Sequence, residues 1–204
     1  NVYGDPVEVT VSPKPVVSAI SWPSPVCENA AEVYSVTDSS DYTYDWSVPA
    51  GNNVFTGTDP NQIQVEWLES GTQTLSVTVG LVDVDACATT FSQDVTVNIT
   101  PQPNIADTLP TVCYGNSILL DASTSSTDFT HNWDLNGIPA GSGQTYNFDT
   151  EANGTNPQSV FQQDTVNVTA DNNGCSDTDV QYIKVYRRPQ TGNTYHVPND
   201  FDQN

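Results

Sequence analysis

Basic side chains are almost missing from this chain: four Lys and Arg stand against 25 Asp and Glu, a formal net charge of −21 over 204 residues. Phosphate backbones are held by a basic footprint, so nucleic acid is excluded as a partner. An anionic membrane surface is disfavoured on the same ground. No run approaches 18 consecutive apolar residues, so no direct membrane insertion is expected. Histidine is scarce as well, with only His131 and His196, and no G-x-S-x-G elbow occurs to present a nucleophile. The four cysteines show none of the close C-x-x-C pairing that zinc sites favour. The first residue is Asn, and no charged-then-apolar start marks a signal peptide, so the expectation is a processed or excised piece of something longer.

What is present reads as a folded, secreted chain. Only 14% of residues are charged, and segments rich in Val, Ile, Tyr and Trp run throughout, which argues against disorder despite the acidity. Cys27, Cys87, Cys113 and Cys175 are an even set, and disulfides in an oxidising, extracellular compartment are the preferred reading over free thiols.

Internal repetition organises the rest. Cys27 and Cys113 lie 86 residues apart, Trp46 and Trp133 lie 87 apart, and Cys87 and Cys175 lie 88 apart. Each unit opens on Val-Cys and reaches an aromatic-rich segment about twenty residues later, YTYDWSVPAG at 42–51 or FTHNWDLNG at 129–137. Each then shows an alternating strand, LSVTV at 75–79 or VNVTA at 166–170, and exits through Pro-x-Pro or Arg-Pro. PVEVTVSPKP at 6–15 repeats the first unit's ending at the same 88-residue offset, so residues 1–13 read as the last strand of a preceding repeat.

Short runs alternating at period two, cut by turn clusters such as SPKP, DSSD and DNNG, predict strands and no amphipathic helix. Roughly seven short strands in about 87 residues is the pattern of an immunoglobulin-like β-sandwich. The expected fold class is therefore all-β, as tandem sandwich repeats at 14–103 and 104–189, with 190–204 as a linker or the start of a next module. Pro-containing junctions at 13–15, 101–103 and 189 limit backbone freedom between neighbouring repeats, which are the first expected partners.

Two stretches, NVTADNNGCSDTD…IKVYRRP and VCYGNSILLDA…HNWDLNG, resemble the PKD-like repeats of bacterial surface proteins, as found in gliding-motility adhesins and other cargo of type IX secretion. The resemblance covers both units and is stronger in the second. The first has LVDVDAC where an NGC-type turn is expected, and neither carries WDFGDG. The resemblance implies a β-sandwich at the cell surface with a structural or adhesive duty, and no catalytic residues.

The candidate residues follow. Trp46 and Trp133, at equivalent strand positions, are expected to anchor the two cores. Trp22 and Trp67 have no counterparts, so each is either a buried or interface residue or an exposed platform for a surface glycan or protein ligand. Two or more exposed aromatics grouped on one sheet face would favour the ligand-binding alternative. Three disulfide connectivities are open, and Cys27–Cys87 with Cys113–Cys175 is the one consistent with repetition. Each such bridge would close a loop of about 60 residues, contributing on the order of 4 kcal/mol. The acidic turns, Asp83 with Asp85 and Asp171 with Asp177 and Asp179, offer oxygen ligands of the kind calcium takes, although a solvated acidic face is the preferred reading. No cofactor is required. Abundant carboxylates leave glycoside hydrolysis formally open, but a short-looped sandwich offers little room for a deep cleft, and a non-enzyme is expected. The leading function is a spacer or stalk of a secreted surface adhesin, with an accessory domain of a secreted hydrolase as a further alternative.

Overall fold

The computed structural model describes residues 11–57, 59–82, 84–106, 110–124, 128–155 and 157–188. The all-β expectation holds: the described chain is strands and turns, with no helix. It divides into two compact units, Asn1–Pro101 with Asp171–Ser176, and Gln102–Ala170 with Asp177–Asn204. The expected strand at 1–13 lies outside the described residues up to position 10, as does the segment 190–204.

The first unit contains β1 (Val26–Cys27), β2 (Ala31–Ser35), β3 (Tyr42–Ser47), β4 (Asn53–Thr56), β5 (Gln62–Glu66), β6 (Gly71–Leu81) and β7 (Val84–Asn98). They form a four-stranded sheet ordered β1-β7-β6-β3 and a three-stranded sheet ordered β2-β5-β4. The short β1 runs parallel to β7, Val26 opposite Val97, while the long β6–β7 pair is antiparallel. Period-two alternation sends Leu75, Val77 and Val79 inward from β6 and Val95 and Val97 from β7. They meet Tyr34, Ile63, Val65 and Trp67 from the facing sheet. Each side chain fully buried this way contributes about 1.5–3 kcal/mol of transfer free energy. The outward residues are small and polar: the Thr78 and Thr90 hydroxyls hydrogen-bond at 2.9 Å, and Thr74 Oγ1 donates to Asp94 at 2.8 Å.

The second unit contains β8 (Asn104–Ile105), β9 (Thr111–Cys113), β10 (Ser117–Ser123), β11 (Thr130–Leu135), β12 (Ile138–Ser142), β13 (Thr145–Asp149), β14 (Phe161–Asn172) and β15 (Cys175–Tyr186). Its sheets are ordered β13-β10-β8 and β12-β11-β14-β15-β9. β9 again runs parallel to the last strand. Val166, Val168, Ile183 and Val185 pack on Leu120, Trp133 and Phe148.

The two units differ in where the fourth long strand goes. Asn136-Gly137, with φ of 53° and 80°, makes a two-residue connection that folds β12 back against β11. In the first unit the five residues 48–52, with Pro49, separate the equivalent strands, and β4 pairs with β5 in the other sheet. β3 is thereby left as an edge, whereas β11 is flanked on both sides.

Candidate functional site

That topological difference decides the fate of the tryptophans. Trp133 is buried to 2% exposure, stacks on Tyr146 with ring centroids 5.6 Å apart, and donates its indole N–H to the Gly143 carbonyl at 2.7 Å. It is the core anchor expected. Trp46 is not its equal: on edge strand β3 it packs against the core only in part, its indole N–H donating to Pro60 O at 3.2 Å. The core position in the first unit belongs to Trp67, fully buried just after β5. Its N–H donates to the Tyr34 hydroxyl at 2.7 Å, the rings meet edge to face at 6.1 Å, and its carbonyl accepts from Asn29 N–H. Burial raises the Tyr34 pKa above its ordinary value, with the Trp67 donation acting the other way. Trp67 is therefore no ligand platform, and Trp22, 37% exposed, is the tryptophan left with a free face.

The cysteine pairing is corrected. Cys27 and Cys175 form a disulfide with Cα atoms 5.6 Å apart, spanning 148 residues. Cys87, half-buried, and Cys113, exposed, are free thiols. Repetition makes Cys27 equivalent to Cys113 and Cys87 to Cys175, but only proximity makes bonds. The turn Asp171–Ser176 belongs to the first compact unit, where Cys175 reaches β1.

Among the described residues no three His, Cys, Asp or Glu side chains gather to hold a metal ion. Asp177 accepts from the backbone N–H of Thr178, and Asp179 from those of Val180 and Ile105 at 2.8 and 2.7 Å. Asp171 accepts from Gly174 N–H across its turn. Asp83 and the side chain of Asp85 lie outside the described residues, as do Asp200, Asp202 and His196. His131 is buried at 4% exposure, its Nε2 3.5 Å from the Thr124 hydroxyl. A carboxylate that sequence reasoning missed, Asp164, is almost wholly buried and accepts from Asn136, Thr155 and Gln162 at 2.8–3.1 Å. Three neutral donors satisfy it, which makes it a structural hub tying the β11–β12 turn to β14.

An exposed aromatic group is present, but on other residues than those singled out. Val180, Tyr182, Lys184 and Tyr186 alternate on the outward face of β15. Tyr182 and Tyr186 are 45% and 37% exposed, and Phe161 at the start of β14 lies 5.8 Å from the Tyr186 ring. Lys184 Nζ sits 5.4 Å above the Phe161 ring. With Arg187 and Arg188 directly following, this end of β15 carries three of the chain's four basic residues. Sequence could show the alternation but not the face, since Gln181, Ile183 and Val185 alternate in the opposite phase and are the ones buried.

Residues 13–101 match the model of a PKD-like domain family. The match falls on the first unit, whereas the motifs quoted for the resemblance lie between residues 112 and 189. No curated protein sequence matches the chain. Among solved structures, the N-terminal eight Ig domains of Down Syndrome Cell Adhesion Molecule isoform 1.30.30 are similar at 11% identity and a TM-score of 0.48, covering 86% of this chain and 25% of that one. The fibronectin(III)-like modules of Clostridium thermocellum CbhA match at 14% identity and a TM-score of 0.37, over 82% of this chain and 93% of theirs. Drosophila OTK extracellular domains 3–5 match at 6% identity and a TM-score of 0.46, over 85% and 63%. The chain spans a quarter of the first of these structures. Residues 13–101 are PKD-like, and each unit is a β-sandwich with its own core.

Proposed function

We propose that the chain is a non-enzymatic spacer segment of a secreted, surface-exposed protein. The observation that carries this reading is the Cys27–Cys175 disulfide in a sandwich whose outward β6–β7 face is small and polar. Disulfides persist in oxidising compartments, outside the cytosol. The Thr78–Thr90 hydroxyl pair across β6 and β7 stabilises the sheet while leaving a polar, hydrated face. The resemblance to PKD-like repeats of bacterial surface adhesins supports the same location. Antibody raised against the chain should label intact, unpermeabilised source cells; labelling that requires permeabilisation would overturn the location. Turnover of any substrate in a panel of glycans and peptides would overturn the non-enzymatic reading.

A second reading, partner binding, is favoured by the aromatic end of β15. Tyr and Phe are enriched at protein contacts, and here Tyr182, Tyr186 and Phe161 are exposed together. The duty this adds is adhesion through a protein partner. Replacing Tyr182 and Tyr186 together by Ala should abolish adhesion of chain-coated beads to protein-coated surfaces while leaving the circular dichroism spectrum unchanged. Undiminished adhesion would remove this face from the reading.

A further inference from the structure

We infer that the first unit carries a binding site for a short neutral saccharide, in the cleft beside Trp22. The cleft has a volume of about 330 Å³ and is lined by Trp22, Ser24, Pro25, Asp94, Thr96, Asn98 and Asn173 over buried Val26. That is within the size range of small-molecule sites, roughly 300–1,000 Å³. Its floor follows from strand geometry: Asp94, Thr96 and Asn98 are two residues apart on β7, so all three point to the same outward face. Its walls are the 22–25 segment on one side and the Asp171–Ser176 turn on the other.

The chemistry of the lining selects the ligand. No Lys or Arg lines the cleft, so an anion has nothing to pair with. One carboxylate is too little charge for a divalent cation, which takes several oxygen ligands of which carboxylates are the mainstay. The lining is too polar for an apolar guest. A neutral, hydroxyl-rich ring fits all three constraints. Its C–H face stacks on the exposed indole of Trp22, and its hydroxyls meet a carboxylate, two side-chain amides and two hydroxyls, each able to donate, accept or do both. Asp94 is already oriented by Thr74 Oγ1 at 2.8 Å, which leaves its second oxygen for a ligand hydroxyl.

The walls are held before any ligand arrives. The Cys27–Cys175 disulfide joins the residue after Val26 to a residue two beyond Asn173. Asn172 Nδ2 donates to Ile99 O at 2.9 Å, and Asn173 donates to Asn172 Oδ1 at 3.2 Å. Gly174, at φ +91°, lets the turn come so close to Pro25 that an added Cβ would lie 2.9 Å from its Cγ. A wall fixed in advance does not have to be ordered on binding, which favours affinity for a small ligand.

The test is calorimetric titration of the whole, oxidised chain with xylotetraose, cellotetraose, mannotetraose and chitotetraose, and with trigalacturonate as the anionic counterpart. Two-dimensional NMR of the same mixtures locates the contact. At least one neutral oligosaccharide should saturate, shifting the Trp22 indole N–H and the side-chain amides of Asn98 and Asn173. Trp22→Ala should weaken that binding at least tenfold. Thr96→Ala and Asn98→Ala, which leave the core untouched, should each weaken it several-fold with an unchanged fold, so a misfolded Trp22 variant does not end the test. Saturation by none of the neutral oligosaccharides would overturn the inference. So would a preference for trigalacturonate, shifts confined to Phe161, Tyr182 and Tyr186, or affinity unaltered in the Thr96 and Asn98 variants.

Discussion

Trp67→Phe should cost the first unit far more than the same change at Trp46. The buried indole loses about 40 Å³ on becoming a phenyl ring, and at roughly 24 cal/mol per Å³ the residual cavity costs about 1 kcal/mol. The 2.7 Å donation to Tyr34 disappears with it, and the Tyr34 hydroxyl, in a fully buried side chain, loses its partner. Such an orphaned group costs a further 1–3 kcal/mol or so. The sum is about 2–4 kcal/mol, which for a unit near 100 residues lowers Tm by roughly 10–25 °C. Trp46→Phe removes a half-exposed edge contact and should cost less than about 1 kcal/mol. Urea denaturation followed by circular dichroism gives both numbers, provided the slope with urea stays constant. Adding Tyr34→Phe to Trp67→Phe removes the orphan, so the double variant should recover about 1–2 kcal/mol of the summed single costs. If Trp46→Phe costs as much as Trp67→Phe, or the cycle shows no coupling, the assignment of Trp67 as the core anchor fails.

Non-reducing proteolysis with mass spectrometry should recover a Cys27–Cys175 linked pair, with Cys113 alkylating before the half-buried Cys87 and neither needing reduction; a Cys27–Cys87 or Cys113–Cys175 product would refute this pairing. Stability should fall as the pH rises above 10: burial raises the Tyr34 and Tyr146 pKa values, so the unfolded chain ionises near 10.0 while the native chain keeps its protons. Each such tyrosine then removes about 1.4 kcal/mol per pH unit until its native pKa is passed, and a pH-stepped urea series with Tyr34→Phe checks the slope. Raising NaCl from 20 to 500 mM should raise Tm by a few degrees, since a net charge of −21 repels itself and salt shortens the range of that repulsion to under about 10 Å; a lower Tm would mean specific ion pairs outweigh it.

The strands were legible because burial follows alternation: Leu75, Val77 and Val79, and Val166, Val168 and Ala170, are all fully buried. The Asn136-Gly137 link carries the Asn-Gly pair that favours a two-residue hairpin, a signal the turn clusters read from the sequence did not include. Trp46 misled because its burial depends on a different strand, β4, choosing the opposite sheet. Only the length and Pro content of 48–52 hint at that choice. Cysteine pairing misled for a related reason. Repeat spacing reports equivalence within each unit, and the bond that forms lies outside that equivalence, at a turn contributed by distant sequence. Trp22 could be singled out as unmatched, but its polar neighbours Asp94, Thr96, Asn98 and Asn173 come together only through β7 and the 171–176 turn.

If the proposed spacer is placed under tension, the disulfide decides how far it can be drawn out. Tension entering before Cys27 and leaving after Cys175 crosses the sulfur bridge and bypasses the 148-residue span between them. At about 3.6 Å per extended residue, that span stores roughly 500 Å of chain that stays out of reach while the bond is intact. While the bond is intact, only the chain before Cys27 and after Cys175 can lengthen, even if both sandwiches come undone. A reductant would open the bridge and add the stored length to the part of the chain that can be drawn out.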